Sequence, residues 1–433
     1  MFRKQTCLAS LVLVAIHGCA IILLAFLCCE RCVAQETELQ AKKQSETAQT
    51  LIDLGVKVSP NVNPRAITFF SVPSDGRSRR IVVPWKRLAG LSDLESVSMQ
   101  ARKIGEDTID FFKRCPKLET ITLSHCSFHI GEESLIWLSK KNLELSKYAR
   151  IHKTTFTAAG IKALSELECP DLGFRDCSFT QDAVDALGIN FDNQHLSFAE
   201  SKGLTVNDLI DRFGERARYL HIPWPNQLVL SYGSEEEETW RGQRVTWEGN
   251  IDLQDDCLEK MPKLYGVTLK ARSLSILAAL EKSQPNIKLF QSFRNNPRLN
   301  GKELPGQLSH LEYQDRFFDM VEATPSLDQL RLNHAYAFQE GGRPMRLTTD
   351  HRLRFLRIDS LQPFGKDLIA EATKPRFLIG LSVNHSNVLG AEEIQQIITK
   401  SKDLRNAKFN ANKLTDEATA LLRGWANEIE YRR

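Results

Sequence analysis

Leu327-Asp-Gln-Leu330-Arg-Leu332, Leu353-Arg-Phe-Leu356-Arg-Ile358, Leu378-Ile-Gly-Leu381-Ser-Val383 and Leu404-Arg-Asn-Ala407-Lys-Phe409 are four copies of one phrase, Leu-x-x-apolar-x-apolar. The last two apolar positions stand two residues apart with a polar or small residue between them. That alternation is the mark of a short strand with one face buried. Leu332, Ile358, Val383 and Phe409 follow one another at steps of 26, 25 and 26 residues. A period of 20 to 29 residues is that of a stacked strand-and-helix repeat.

The same phrase occurs upstream at Leu94/Val97/Met99, Leu118/Ile121/Leu123 and Leu264/Val267/Leu269. A second marker follows the strands. Cys126-Ser127-Phe128 leads to Leu135 and Leu138, Thr155-Phe156-Thr157 to Ile161 and Leu164, and Cys177-Ser178-Phe179-Thr180 to Val184 and Leu187. A third precedes them: Cys115-Pro116, Cys169-Pro170, Met261-Pro262 and Thr324-Pro325, where proline ends one helix and opens the return to the next strand. Each unit is thus a strand, a turn, a helix and a proline-marked return. One unit alone leaves its apolar side bare, so the units must stack.

With these three markers in one phase, the chain resembles the leucine-rich repeat family of the longer, ribonuclease-inhibitor-like type, and Leu54 to Val58 looks like the opening of exported bacterial members. The resemblance implies an α/β solenoid, with a parallel sheet on the concave side and helices on the convex side. Three segments are expected: residues 1–34 as signal peptide or signal anchor, 35–90 as an N-terminal cap of one helix and a pair of strands, and 91–433 as the solenoid. The rhythm breaks near 223–250, which is expected to be an irregular insertion, and the repeat phase is lost from Gln284 to Leu311. The closing stretch from Leu414 to Arg433 is expected to cap the other end.

A chain of 433 residues with 42% apolar and 26% charged residues is neither disordered nor of low complexity. It is also too long for one compact core, which suits a repeat array. Lys plus Arg number 57 against 54 Asp plus Glu, a formal charge of +3 that gives no reason to expect nucleic acid as a partner. Arg3 and Lys4 precede an uncharged run of 23 residues from Cys7 to Cys29, and Cys32 and Ala34 suit a cleavage site ending at Ala34. The run is also long enough to span ~30 Å of hydrocarbon, so a cleaved signal and an anchor both stand. Either places the body outside the cytoplasm, secreted, periplasmic or held at the cell membrane through residues 7–29.

Motifs for catalysis are missing: there is no HExxH, GxSxG, Walker loop or GxGxxG after a strand. No cofactor or metal is expected. His125 and His129 flank Cys126 at a repeat turn, where packing or surface roles suffice. Five cysteines lie in the body, at Cys115, Cys126, Cys169, Cys177 and Cys257, and most of them read as buried packing residues. Cys126 and Cys177 share a repeat position but sit two repeats apart, about 9.6 Å along the stack, beyond the ~7 Å that a disulfide tolerates. The resemblance implies that this position serves backbone groups at the turn.

Two surfaces are candidates for binding. Alternation places Ser98, Thr122, Arg150, Gly173, His221, Thr268, Arg331, Arg357, Ser382 and Lys408 on the exposed side of the sheet. In the C-terminal half Arg331, Arg357, Ser382 and Lys408, with Asn384 and Asn410 beside them, form a cationic stripe suited to a protein or anionic macromolecule; the alternative is a solvated surface with no client, its repulsion relieved by Asp328 and Asp359. The second candidate is Trp224, Trp240 and Trp247 around the acidic run Glu235 to Glu238, either a recognition loop or a solvated insertion whose tryptophans fold back. The expectation is a non-enzymatic extracytoplasmic binding scaffold. Its rivals are an envelope hydrolase with a site in the irregular 223–310 region and a self-associating structural envelope protein.

Overall fold

In the computed structural model the Leu-x-x-apolar-x-apolar phrases form the strands their alternation predicts. The structure describes residues 33, 35–59, 65–69, 83–167, 169–187, 191, 195–224, 226–232, 243–269, 277–279, 287–292, 310–332, 345–359, 374, 377–384, 389–410, 414–425 and 429–432. The chain divides into two compact units, one up to Lys147 and one from Tyr148 onward.

In the first unit, helix α1 (35–53) ends at Gly55, whose φ of +80° supplies the left-handed turn. Strands β1 (Lys57–Ser59) and β2 (Ala66–Phe69) pair antiparallel. β2 then pairs parallel with β3 (Ser96–Gln100), and β4 (Lys103–Gly105) and α2 (Glu106–Lys113) follow. The long strand β5 (Thr120–His129) pairs with β3 through its first half and with β4 through its second. Helix α3 (Glu132–Ser139) closes the unit.

The second unit begins with the paired part, Tyr148–His152, of β6 (Asn142–His152), then β7 (Thr155–Phe156), α4 (Ala158–Ser165), β8 (Asp171–Arg175), β9 (Ser178–Phe179), α5 (Gln181–Ala186), β10 (His195–Ala199) and α6 (Val206–Phe213). The main strands β6, β8 and β10 are parallel neighbours, and β7 pairs with β9 in a minor sheet. Next come β11 (Tyr219–Trp224), β12 (Gln227–Ser231) and β13 (Arg244–Glu248), then β14 (Gly266–Leu269), β15 (Leu289–Ser292), β16 (Gln329–Leu332), β17 (Phe355–Asp359), β18 (Gly380–Asn384), β19 (Asn406–Asn410) and β20 (Ile429–Arg432). From β14 to β20 every neighbouring pair is parallel. Helices His310–Glu322, Ala391–Lys400 and Asp416–Trp425 lie between strands. A mostly parallel sheet whose strands are separated by helices, in one repeated phase, is an α/β leucine-rich-repeat solenoid.

Two expectations about irregular regions are corrected. Within 223–250 the described residues, 223–224, 226–232 and 243–250, widen the sheet and do not interrupt it; residues 225 and 233–242, with the acidic run, lie outside the described residues. β13 lies parallel to β10, β12 runs antiparallel to both β13 and β11, and β11 lies parallel to β14, so the meander occupies consecutive places in the stack. Of residues 284–311, the described stretch 287–292 keeps the phase, because β15 takes its place between β14 and β16. At the C-terminal end β20 extends the sheet by one strand on β19, so the last described residues carry on the strand register.

The core is the ladder the repeats predict. Leu123, Leu269, Leu332, Val383 and Phe409 are all buried. Phenylalanines fill the first repeats of the second unit: Phe174 stacks on Phe198 at 4.9 Å between centroids, and meets Phe156 edge-on at 5.5 Å and Phe179 at 5.6 Å. All four are buried, and such rings add to stability through contact as well as area.

Two backbone devices recur that the sequence did not announce. Ala101, His125, Lys153, Asp176 and Glu200 all have φ between 52° and 57°, and each stands three places after the residue that lies between the two core positions of its strand. An L-residue in this region is held there by its neighbours, because the conformation costs about 1–2 kcal/mol. Part of that hold is visible: the amides of Ala101, Lys153, Asp176 and Glu200 donate to carbonyls of the next strand, at Ser124, Arg175, Ala199 and Glu248. One residue later, the side chains of Cys126, Thr154, Cys177 and Ser201 each donate to the carbonyl two residues back. The second device lies at strand entry. The carbonyl of the residue before a strand accepts two amides from the next repeat, as when Asp328 accepts from Arg354 and Phe355, and Arg354 from Ile379 and Gly380.

Candidate functional site

Parallel register decides which side chains share a column. Arg331 pairs with Arg357, Arg357 with Ser382, and Ser382 with Lys408, so the predicted stripe stands on consecutive strands. Phase alone brings these residues together, since each lies between two apolar positions that the core takes. Strands in such a sheet are about 4.8 Å apart, close enough for the charges to act on one another.

Partners and exposure differ along the stripe. Arg357 and Lys408 are exposed, while Arg331 and Ser382 are half-buried. Arg331 donates to Gln329 Oε1 at 3.2 Å. Arg357 Nε lies 3.2 Å from Asp359 Oδ2, a pair in which half of the arginine side chain remains accessible, so water screens it and it contributes little stability. Of the two carboxylates, Asp359 thus pairs with the stripe, and Asp328 does not: its oxygens accept from Nε and Nη2 of Arg354, at the strand edge.

Asn384 departs from its expected role. It is buried, and its Nδ2 donates to Asp359 Oδ1, while its Oδ1 is buried without a hydrogen-bond partner. It thus positions the carboxylate that holds Arg357. Asn410 pairs in register with Asn384, and its side chain is outside the described residues.

Three other members of the predicted column, His221, Thr268 and Gly173, are not available surface. His221 is 7% exposed and Thr268 3%. They stand side by side in register, with Val229 of β12 on the far side of His221. Gly173 is buried because Ser197 Oγ and Arg150 Cγ close over it. Arg150 is exposed and lies against the Tyr148 ring at 5.4 Å.

The tryptophan candidate separates into parts. Trp240 and the acidic run Glu235 to Glu238 lie outside the described residues, as does the side chain of Trp224, whose backbone pairs with Gln227. Trp247 is buried, and its Nε1 donates to Asn250 O at 3.0 Å. It belongs to the wall of the solenoid, not to an exposed anchor. The signal was in the sequence: in Arg244-Val-Thr-Trp-Glu248, alternation puts Trp247 on the face of Val245.

All five body cysteines are free thiols and buried. Desolvation raises the pKa of each, to about 11 for Cys115 and Cys169 and about 12 for Cys257. Such thiols are poor nucleophiles and poor metal ligands. His125 hydrogen-bonds Ser124 Oγ at 2.9 Å and His129 meets Ser127 Oγ at 3.3 Å, both local contacts. Among the described residues no helix is long and apolar enough to cross a membrane; the uncharged run at residues 7–29 lies outside them.

What sequence reasoning missed is the strand-entry edge of β14 to β17, where Tyr265, Lys288, Asp328 and Arg354 stand one residue before their strands. They border a cavity of about 590 Å³ together with Ser326, Arg352 and Phe377. Phe355 and Phe377 are 39% and 54% exposed, unlike nearly all other large apolar side chains described.

No family model matches the chain, and no curated protein matches it. Solved structures do. Toll from Drosophila, determined in complex with Spatzle, is similar at 11% identity over 86% of this chain, with a TM-score of 0.34; the match covers 48% of the Toll chain, so this chain spans about half its length. Mouse RP105, determined with MD-1, is similar at 10% identity over 81% of this chain and 68% of its own, with a TM-score of 0.31. A leucine-rich-repeat protein of Leptospira interrogans is similar at 11% identity over 81% of both chains, with a TM-score of 0.29. At these identities and scores, the fold rests on the chain's own register and repeat phase.

Proposed function

We propose that the chain is a non-enzymatic binding scaffold of the exported bacterial leucine-rich-repeat type, which presents the β16–β19 stripe to an acidic protein partner. The observation that carries this reading is the register Arg331, Arg357, Ser382, Lys408. Three cations on four adjacent strands sit on a face whose alternate positions are committed to the core. Charge of this kind acts chiefly on association rate and salt sensitivity. Asp359, held by Asn384, fixes the Arg357 guanidinium and so keeps the stripe ordered before a partner arrives.

Location is part of the proposal. Arg3 and Lys4 ahead of the uncharged run Cys7 to Cys29 support export, with the segment cleaved or kept as an anchor. Residues 35–90 then act as the N-terminal cap of the repeats. The test is to replace Arg331, Arg357 and Lys408 together with Gln and compare capture of envelope proteins with that of the parent at low and high salt. The proposal expects capture that falls and loses its salt dependence. Unchanged capture with unchanged salt dependence would remove this face.

A further inference from the structure

The residues that begin the strands of the second unit form a second surface, distinct from the stripe. Lys288, Asp328 and Arg354 directly precede β15, β16 and β17, and Arg352 and Phe377 stand two residues further back in their repeats. Among the described residues, the cavity they border has three cations, Lys288, Arg352 and Arg354, against one carboxylate, Asp328. Both oxygens of that carboxylate accept from Arg354, which fixes the guanidinium at the cavity wall, 5.8 Å from the centre of the Phe355 ring. Phe355 lies over Gly380, where an added Cβ would come within 2.6 Å of Cδ1 of the ring. The absence of a side chain at Gly380 is therefore what lets an aromatic ring lie flat on the sheet here. Tyr265 closes the other side, its ring meeting Tyr219 edge-on at 5.8 Å.

Apolar surface that a solvated edge has no use for thus sits beside an excess of positive charge. Exposed aromatic side chains next to arginine are the composition of binding hot spots. We propose that this strand-entry pocket docks an acidic peptide segment that carries an aromatic or long aliphatic side chain next to its carboxylates. The charge excess selects the carboxylates, and Phe377 and Tyr265 receive the apolar group. A volume of about 590 Å³ suits one large side chain with its neighbours. Nucleic acid fits less well, since it needs a track of phosphate contacts and not a single pocket. The proposal rests on the reading of the chain as a protein-binding scaffold, but not on the cationic stripe.

The experiment pans a random heptapeptide display library on the full-length protein and measures the recovered peptide by fluorescence polarisation on three proteins. These are the parent, Arg352→Glu/Phe377→Ala, and Arg331→Gln/Arg357→Gln/Lys408→Gln. Both residues of the rim variant are exposed, and an unchanged unfolding midpoint confirms its fold. Peptides in which Asp or Glu flanks an aromatic or aliphatic residue are expected, with affinity weakened tenfold or more in the rim variant and less than threefold in the stripe variant. A library that enriches no acidic-apolar motif would overturn the proposal, as would a peptide whose affinity the rim variant leaves unchanged. Loss in the stripe variant alone would overturn the pocket and leave the stripe standing.

Discussion

Replacing Leu332 by alanine tests the repeat phase at its centre. Leu332 is fully buried, and its strand pairs with β15 on one side and β17 on the other, so Ser292 and Ile358 flank it in register. The change removes three carbon atoms, worth about 2.5 kcal/mol at ~0.8 kcal/mol each. Because strands on both sides fix the backbone, the site collapses little and a cavity term adds to this, giving about 3–4 kcal/mol. A solenoid can unfold in parts, so the assay pairs the guanidinium transition with hydrogen exchange of the β15–β17 amides, where the loss should concentrate. Lys408→Ala, at an exposed position, should stay within about 0.5 kcal/mol of the parent. A Leu332→Ala protein equally close to the parent would refute the reasoning, since no fully buried ladder position tolerates that loss.

Other expectations follow from single positions. Lys153, at φ 57°, should tolerate Gly with little change, but Lys153→Val should lower stability by about 1–2 kcal/mol, because a β-branched side chain fits that region poorly; calorimetry of the three proteins checks this. Gly203→Ala should be more damaging, as the new Cβ would stand 2.1 Å from the Phe179 carbonyl oxygen at a φ of +71°, and chemical unfolding should show a loss above about 2 kcal/mol. Cys115, Cys169 and Cys257, pushed up to about 11, 11 and 12, should resist alkylation at pH 8 until the chain unfolds, as peptide mass spectrometry will show. Burial, and secondarily Arg244, hold the His195 pKa below its ordinary 6.5, so the unfolded chain binds the extra proton first. Stability should therefore fall as pH drops below about 6.5, and His195→Gln should flatten that slope in unfolding titrations.

Where the sequence was legible, one physical rule carried the reading. A residue held between two core positions of a strand must face the other way, and this placed Arg331, Arg357, Ser382 and Lys408 in one column without further information. The rule says nothing about how wide the sheet is. Hence the meander β11–β13, whose Tyr-Leu-His and Gln-Leu-Val segments alternate like any other strand, read as an interruption when it supplies three members of the stack. β15 escaped notice because Leu289 and Ser292 break the apolar spacing seen in its neighbours. The left-handed turns were illegible for another reason. Ala101, His125, Lys153, Asp176 and Glu200 share no residue type; at four of them, Ala101, Lys153, Asp176 and Glu200, an amide hydrogen bond to the next strand holds the conformation and the side chain does not choose it. Trp247 was legible by alternation, and the acidic run nearby drew attention from it. The strand-entry pocket stayed hidden because its residues come from loops of unequal length, and only the stacked sheet brings them to one edge.

The account as a whole depends on strands β16 to β19 stacking in phase, and cysteine pairs across β18 and β19 measure this directly. Ser382 and Lys408 are register partners, about 4.8 Å apart, within reach of a disulfide, whereas Ser382 and Asn406 share the exposed face on a diagonal of about 7–8 Å. Ser382→Cys/Lys408→Cys should close a disulfide under mild oxidation, seen as a cross-linked peptide by mass spectrometry, and Ser382→Cys/Asn406→Cys should stay reduced. Cross-linking of the diagonal pair in place of the register pair would shift β19 by two residues, break up the column of Arg331, Arg357, Ser382 and Lys408, and contradict the account.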